Sequence, residues 1–210
     1  MLALLHTSPV HVPVFDALRD RAHPGLELRH FVDEDLLVRA RDRGPDAVAA
    51  DVRAVLARAV ADGARAVLCT CSTLGAVAES AAPGVPVLRV DRPMAAAAVA
   101  AGPRVVVLAA LESTLGPTAA LVTEESARAG RPVAVRTLLV DGAWERFEAG
   151  DTEAYVRLVA ATADAVTDAD AVVLAQASMA PAQHLTTAPV PVFSSPGPGL
   201  AAGAEAARRR

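Results

Sequence analysis

The sequence predicts an α/β protein of two pseudo-symmetric half-domains, each a four-stranded parallel sheet flanked by helices. Three observations carry this expectation. Short apolar, β-branched runs alternate with longer segments whose apolar residues recur at helical spacing. The connections between them are short, which suits parallel strands joined by crossover helices. The chain also repeats itself at half its length. Ala66-Val67-Leu68-Cys69-Thr70-Cys71-Ser72-Thr73 has a partner in Ala171-Val172-Val173-Leu174-Ala175-Gln176-Ala177-Ser178. The spacing of 105 residues, from Cys71 to Gln176, also carries Val85-Pro86-Val87-Leu88 onto Val190-Pro191-Val192-Phe193 and Ser8 onto Ser113. Two copies are too few for a solenoid. They suggest two half-domains facing each other with a site between them.

The elements follow in order. Leu2–His6 is a short apolar run and reads as the first strand, and Leu26–Val32 alternates as a second. The segment from Asp46 to Asp62 places Val48, Val52, Val55, Leu56 and Val60 at helical spacing. Val67–Cys69 and Val85–Val90, bounded by Gly or Pro, are the third and fourth strands. Asp91-Arg92-Pro93 then leads without a linker into the alanine-rich helix Met94–Ala101, whose apolar surface suits a homodimer interface. The second half repeats the order, with strands at Arg104–Ala109, Val133–Leu139, Ala171–Leu174 and Val190–Phe193. Its helices are expected at Pro117–Ala129 and Thr152–Val166, and a final helix, Leu200–Arg208, follows Ser194-Ser195-Pro196-Gly197. The half-domains are therefore expected at 1–92 plus 196–210, and at 93–195.

Composition narrows the chemistry. At 210 residues the chain can bury a substantial core. No stretch of about 18 apolar residues runs without charge or proline, so no membrane span is expected. No basic segment precedes an apolar one at the N-terminus, and a cytoplasmic location follows by default. Two cysteines one residue apart are not a disulfide framework, and no further ligands stand near them to suggest a metal site. A net charge of −4 with 3% aromatics argues against nucleic-acid binding. The closing Arg208-Arg209-Arg210 run reads as a solvated tail. All 20 basic residues are arginine. Without lysine there is no internal Schiff base to pyridoxal phosphate and no P-loop lysine.

In open α/β sheets, ligands bind at the carboxyl ends of the strands. Four post-strand segments there carry small hydroxyl residues: His6-Thr7-Ser8, Cys71-Ser72-Thr73, Glu112-Ser113-Thr114 and Gln176-Ala177-Ser178. Each precedes an expected helix start, where Ser and Thr serve as caps and where free N–H groups hold anions. Repeated four times, the pattern points to a small carboxylate ligand. Cys71, between a strand and a helix start, is placed where thiolate character increases. Cys69, within the strand, reads as packing. Glu112, His6, His11 and His184 are further candidates for acid–base or orienting roles, each with a structural alternative.

With these residues in view, the whole chain resembles the aspartate/glutamate racemase superfamily, which includes hydantoin racemases, maleate isomerases and arylmalonate decarboxylases. The resemblance implies two pseudo-symmetric α/β half-domains, an interfacial site and no cofactor. Racemases of that family carry one cysteine per half. Here Cys71-Ser72-Thr73 matches the first pattern, with Ser72 in an asparagine position. Leu174-Ala175-Gln176-Ala177 occupies the second, with Gln176 in place of the cysteine. Thr7, Ser8, Ser113 and Thr114 fall where the family binds substrate polar groups, and Ser72, Thr73, Ala177 and Ser178 complete the expected binding set. Two-base racemisation needs an acceptor on one face of the α-carbon and a donor on the other, and an amide is neither. The resemblance therefore implies a single-cysteine isomerase or lyase, with Gln176 donating a hydrogen bond in place of the second thiol. The alternatives are a racemase in which Glu112, aligned with Thr7, replaces that thiol, and a non-catalytic binder of small carboxylates.

Overall fold

Leu2–His6 forms strand β1 and is buried along its whole length, as a run without alternation must be in a sheet covered on both faces. It lies between β2 (Leu28–Val32) and β3 (Ala66–Cys69), and β4 (Val87–Arg89) completes a parallel sheet of order β2-β1-β3-β4. The second sheet repeats this order as β6-β5-β7-β8, from β5 (Arg104–Ala109), β6 (Ala134–Leu139), β7 (Ala171–Leu174) and β8 (Val192–Ser194), again parallel. These coordinates are a computed structural model that describes residues 1–209; Arg210, the end of the arginine run, lies outside them.

Two compact units result. One is Met1–Val90 with the C-terminal segment from Pro196, and the other is Asp91–Ser195. In the first, alternate strand residues divide between two cores, as the two-residue period of a strand requires. Ala3, Leu5, Val67 and Cys69 pack with Leu36, Val52 and Leu56. Leu2, Leu4 and Leu68 pack on the other face with Phe15 and Leu200. The covering helices are α1 (Val12–Ala22), α2 (Glu34–Arg43), α3 (Ala49–Ala61) and α4 (Gly75–Glu79). In the second unit, Val105, Val107 and Val173 meet Met94, Val99 and Leu121, while Val106, Leu108, Val172 and Leu174 meet Tyr155 and Val159. The helices there are α5 (Arg92–Ala101), α6 (Glu112–Ala129), α7 (Ala143–Glu148) and α8 (Thr152–Asp164).

The helix that follows the last strand of each sheet belongs to the other unit. Helix α5 follows β4 in the chain yet covers the second sheet, and α9 (Pro196–Arg208) follows β8 yet covers the first. Gly199 permits the approach of α9, because a Cβ there would collide with the carbonyl oxygen of Val90.

Several boundaries differ from those expected, each for a local reason. The helix expected over 46–62 is a 3-10 turn, Pro45–Val48, followed by α3. The strands expected at 85–90 and 190–193 start later, after Pro86 and Pro191. These prolines supply only carbonyls to the ladder, accepting from Val67 and Val172 N–H at 2.9 Å. Helix α6 begins at Glu112 and carries Pro117 inside it. At that early position proline forfeits one hydrogen bond, so the helix continues. Glu112, Ser113 and Thr114 therefore occupy the first turn of a helix, not a loop. Among the described residues no helix is long and apolar enough to cross a membrane.

Candidate functional site

In the first unit, Thr7 and Ser8 follow β1, and Cys71, Ser72 and Thr73 follow β3, its neighbour in the sheet. The parallel register brings both segments to the same carboxyl edge. Thr7, Ser72 and Thr73 are buried, whereas Cys71 and Ser8 are half-buried. Cys69 is buried in β3, and its thiol donates toward the carbonyl of Cys71 at 3.6 Å. Ser8 precedes the 3-10 turn Pro9–His11 without a side-chain capping bond. Beneath the Cys71 segment lies Arg89, which ends β4 and is buried. Its Nη2 donates to the Ser72 carbonyl at 3.5 Å, and its side chain occupies the space a Cβ on Gly75 would need. Arg89 was not singled out from the sequence, although a charge inside Val87-Leu88-Arg89-Val90 was the available signal.

His6 lies at the centre of a polar cluster. Its Nδ1 is 2.8 Å from Thr70 Oγ1, and its Nε2 is 2.8 Å from His30 Nδ1. His30 Nε2 in turn lies 3.3 Å from Asp16 Oδ1. Phe15 packs against the His6 ring. Burial, with the neighbouring His30 and His11 adding to it, lowers the His6 pKa to about 3, and burial lowers that of His11. His6 is thus held neutral at neutral pH. His30 and Asp16 carry no sequence signal of this role, since they meet His6 only through the β1–β2 register and the packing of α1. His184 is exposed at the end of a 3-10 segment, Ala177–His184.

The second unit shows how far the repeat extends. Thr70 N–H donates to Leu5 O at 3.0 Å, and Ala175 N–H donates to Leu108 O at 2.9 Å. Thr70 therefore corresponds to Ala175, and Cys71 to Gln176. Leu5, however, corresponds to Leu108, a spacing of 103 residues (5 to 108) rather than 105. Thr7 is matched by Ala110 and Ser8 by Leu111. The expected pairings of Ser8 with Ser113 and of Thr7 with Glu112 are corrected accordingly.

Gln176 uses this geometry differently from the expectation. Its Oε1 accepts from Ala110 N–H at 2.6 Å and from Leu111 N–H at 3.1 Å, at the entrance to α6. Two donors fix the amide with its oxygen toward them. The role at this point is acceptance, and the expected substitution for the thiol as a donor is corrected to that extent. Ala110 and Leu111 immediately precede α6, and a neutral side-chain carbonyl accepts from both of their N–H groups. Glu112 is exposed in the first helical turn, where a carboxylate is favoured by the helix dipole. Thr114 and Ala177 are buried. The Ser113 hydroxyl oxygen is buried with no hydrogen-bond partner among the described residues. The Ser178 hydroxyl lies 2.8 Å from the Tyr155 hydroxyl, whose pKa burial pushes up to about 12. Ser178 is therefore engaged with a core tyrosine.

Comparison with known proteins follows from this architecture. The family model of Asp/Glu/Hydantoin racemase matches residues 5–202. No curated protein matches the sequence. Among solved structures, the aspartate racemase of Picrophilus torridus is similar at 15% identity and TM-score 0.71, over 98% of this chain and 93% of that one. The glutamate racemase of Thermus thermophilus is similar at 22% identity and TM-score 0.63, over 98% and 79% of the two chains. An arylmalonate decarboxylase is similar at 20% identity and TM-score 0.61, over 99% and 92%. These likenesses establish a shared fold, and the match of the family model over nearly the whole length establishes the kinship: the chain belongs to the Asp/Glu/hydantoin racemase family.

Proposed function

We propose that this protein is a cofactor-independent isomerase or lyase acting at the carbon α to a carboxylate of a small acid, with Cys71 as its single reactive thiol. One observation carries the reading. Cys71 stands half-buried at the carboxyl end of a central strand, whereas its counterpart Gln176 has its carbonyl bound to Ala110 and Leu111 N–H. Only one of the two equivalent positions therefore has a group able to exchange a proton. A one-thiol site protonates a carbanion from a single face, or adds to an activated double bond as a nucleophile. Thr7, Ser8, Ser72 and Thr73, with the backbone N–H groups of their segments, would hold the substrate carboxylate and the enolate oxygen that develops from it. Membership of a family containing both racemases and a decarboxylase supports this breadth.

The test is a panel of malonates, maleate, amino acids and hydantoins incubated in deuterium oxide with the wild type and with Cys71→Ala. Turnover should require Cys71, and deuterium should enter one enantiomer. A Cys71→Ala protein that retains the rate would overturn the reading. Equal labelling of both enantiomers would instead reveal a second base and favour a racemase, with Glu112→Gln as the next variant. Binding of an acid without turnover by either protein would identify a carboxylate-binding protein.

A further inference from the structure

Arg89 is 4% exposed at the end of β4. Cys69 of β3 is its partner in the ladder, and the Val90 N–H donates to the Cys69 carbonyl at 2.9 Å. Arg89 therefore stands at the last rung before the Cys71 segment begins. It shares a strand face with Val87, which packs on the core formed by Cys69, Leu74, Val77 and Ala78. An aliphatic residue at this position would extend that core, whereas a buried guanidinium is costly unless its donors find acceptors. Arginine here calls for a reason, and the segment above it supplies one.

The Arg89 Nη2 donates to the Ser72 carbonyl at 3.5 Å, and the Gly75 N–H donates to the same oxygen at 3.4 Å. Both bonds are long, and packing reinforces them. A Cβ on Gly75 would lie 2.8 Å from Arg89 Nε and 3.0 Å from Cζ, so the guanidinium fills the place that a side chain there would take. Among the described residues no peptide bond is cis. In a planar trans peptide the carbonyl and the following N–H point in opposite directions. With the Ser72 carbonyl held toward Arg89, the Thr73 N–H is turned away from it. Strand β1, which ends in the Thr7–Ser8 segment, flanks β3 on the side opposite β4. Thr73 is buried, yet neither its N–H nor its hydroxyl makes a hydrogen bond among the described residues. A shielded N–H without an acceptor is rare in folded proteins, and this one lies two residues from the half-buried Cys71.

We infer that Arg89 is a positioning residue for the candidate site: it sets the direction of the Ser72–Thr73 peptide so that the Thr73 N–H, with the Thr73 hydroxyl, meets an oxygen of a bound carboxylate. Gly75 is part of the same device, because only a residue without a side chain leaves room for the guanidinium. Arg89 itself stays beneath the segment and touches no ligand. That a carboxylate binds here rests on the reading of Cys71, Ser72 and Thr73 given above; the direction of the peptide does not.

The full chain labelled with nitrogen-15 tests this by nuclear magnetic resonance, with sodium malonate as the probe anion. Residual dipolar couplings read the direction of the Thr73 N–H. In Arg89→Met this vector should turn relative to the N–H vectors of β3. Malonate should then bind about tenfold more weakly, as expected for loss of one hydrogen bond to a charged group. Gly75→Ala should do the same, since its methyl group displaces the guanidinium although alanine by itself favours a helix. The double variant should be no worse than either single one, because both changes break one contact. Thr73 couplings unchanged in Arg89→Met overturn the inference. So does a variant with a lowered Tm and the wild-type malonate affinity, which is the behaviour of a residue that only supports the fold. Should Arg89→Met fail to fold, Gly75→Ala supplies the same two measurements. Malonate that shifts no resonance of residues 71–73 in the wild type overturns the site reading and with it the ligand assigned to Thr73. The couplings still report on Arg89 in that case, which separates the two failures.

Discussion

Replacing Gln176 by alanine removes the acceptor shared by the N–H groups of Ala110 and Leu111, at 2.6 and 3.1 Å. Each such bond contributes about 0.5–1.5 kcal/mol net, so the loss should be roughly 1–3 kcal/mol, toward the upper end if no water replaces the amide. For a chain of this length that corresponds to a fall in Tm of roughly 2–12 °C. The assay is thermal unfolding followed by circular dichroism, in sodium chloride and in sodium sulfate at matched ionic strength. Sulfate stabilises proteins generally, so the quantity to compare is the gap between variant and wild type. That gap should narrow in sulfate, because the exposed N–H pair at a helix start accepts an anion that the wild type excludes. An anion at a hundredfold its dissociation constant would return about 2.7 kcal/mol. Gln176→Met, similar in length but without an acceptor, should lose as much as alanine and gain nothing specific from sulfate if its side chain still fills the site. A Gln176→Ala protein that melts with the wild type in both salts would refute the stabilising role of these two hydrogen bonds.

Three further outcomes follow from the geometry. The His6 pKa lies at about 3, below its ordinary 6.5, so the unfolded chain binds a proton that the folded one refuses. Stability should be full above pH 6.5 and should fall by up to about 1.4 kcal/mol per pH unit on acidification toward pH 3. Urea unfolding at several pH values should show this slope, reduced in His6→Gln; equal slopes would contradict it. Gly199→Ala should destabilise the first unit by roughly 1–3 kcal/mol, because the added methyl group meets the backbone carbonyl of Val90. Unchanged urea unfolding would show that α9 does not approach β4 as described. Tyr155 is the single tyrosine, so ultraviolet titration reads it alone. Its phenolate should appear near pH 12, and a midpoint near the ordinary value of 10 in the folded protein would show that the ring is not buried.

Legibility in the sequence depended on how local each feature was. The strands β3 and β7 and the equivalence of Cys71 with Gln176 were readable, because an apolar strand followed by a polar turn is written in consecutive residues. The sequence places the start of α6 at Pro117, because proline ordinarily marks a helix beginning, whereas the structure begins it at Glu112 and carries the proline inside it. The pairing of Ser8 with Ser113 was misleading for a related reason. Short hydroxyl motifs recur by chance in a sequence of restricted composition, and only the ladder bonds at Leu5 and Leu108 fix the true correspondence.

Strand periodicity, the duplicated motif and the thiol–amide difference between its copies were thus determined by the sequence alone, since each depends on neighbours along the chain. Tertiary structure decided the direction of the Gln176 carbonyl, the burial of Arg89 under the Cys71 segment, and the meeting of Asp16, His30, His6 and Thr70. Those contacts join residues on separate strands and helices. Hydrogen bonding acts over about 3 Å of space, and no pattern of adjacent letters records which distant groups will come that close.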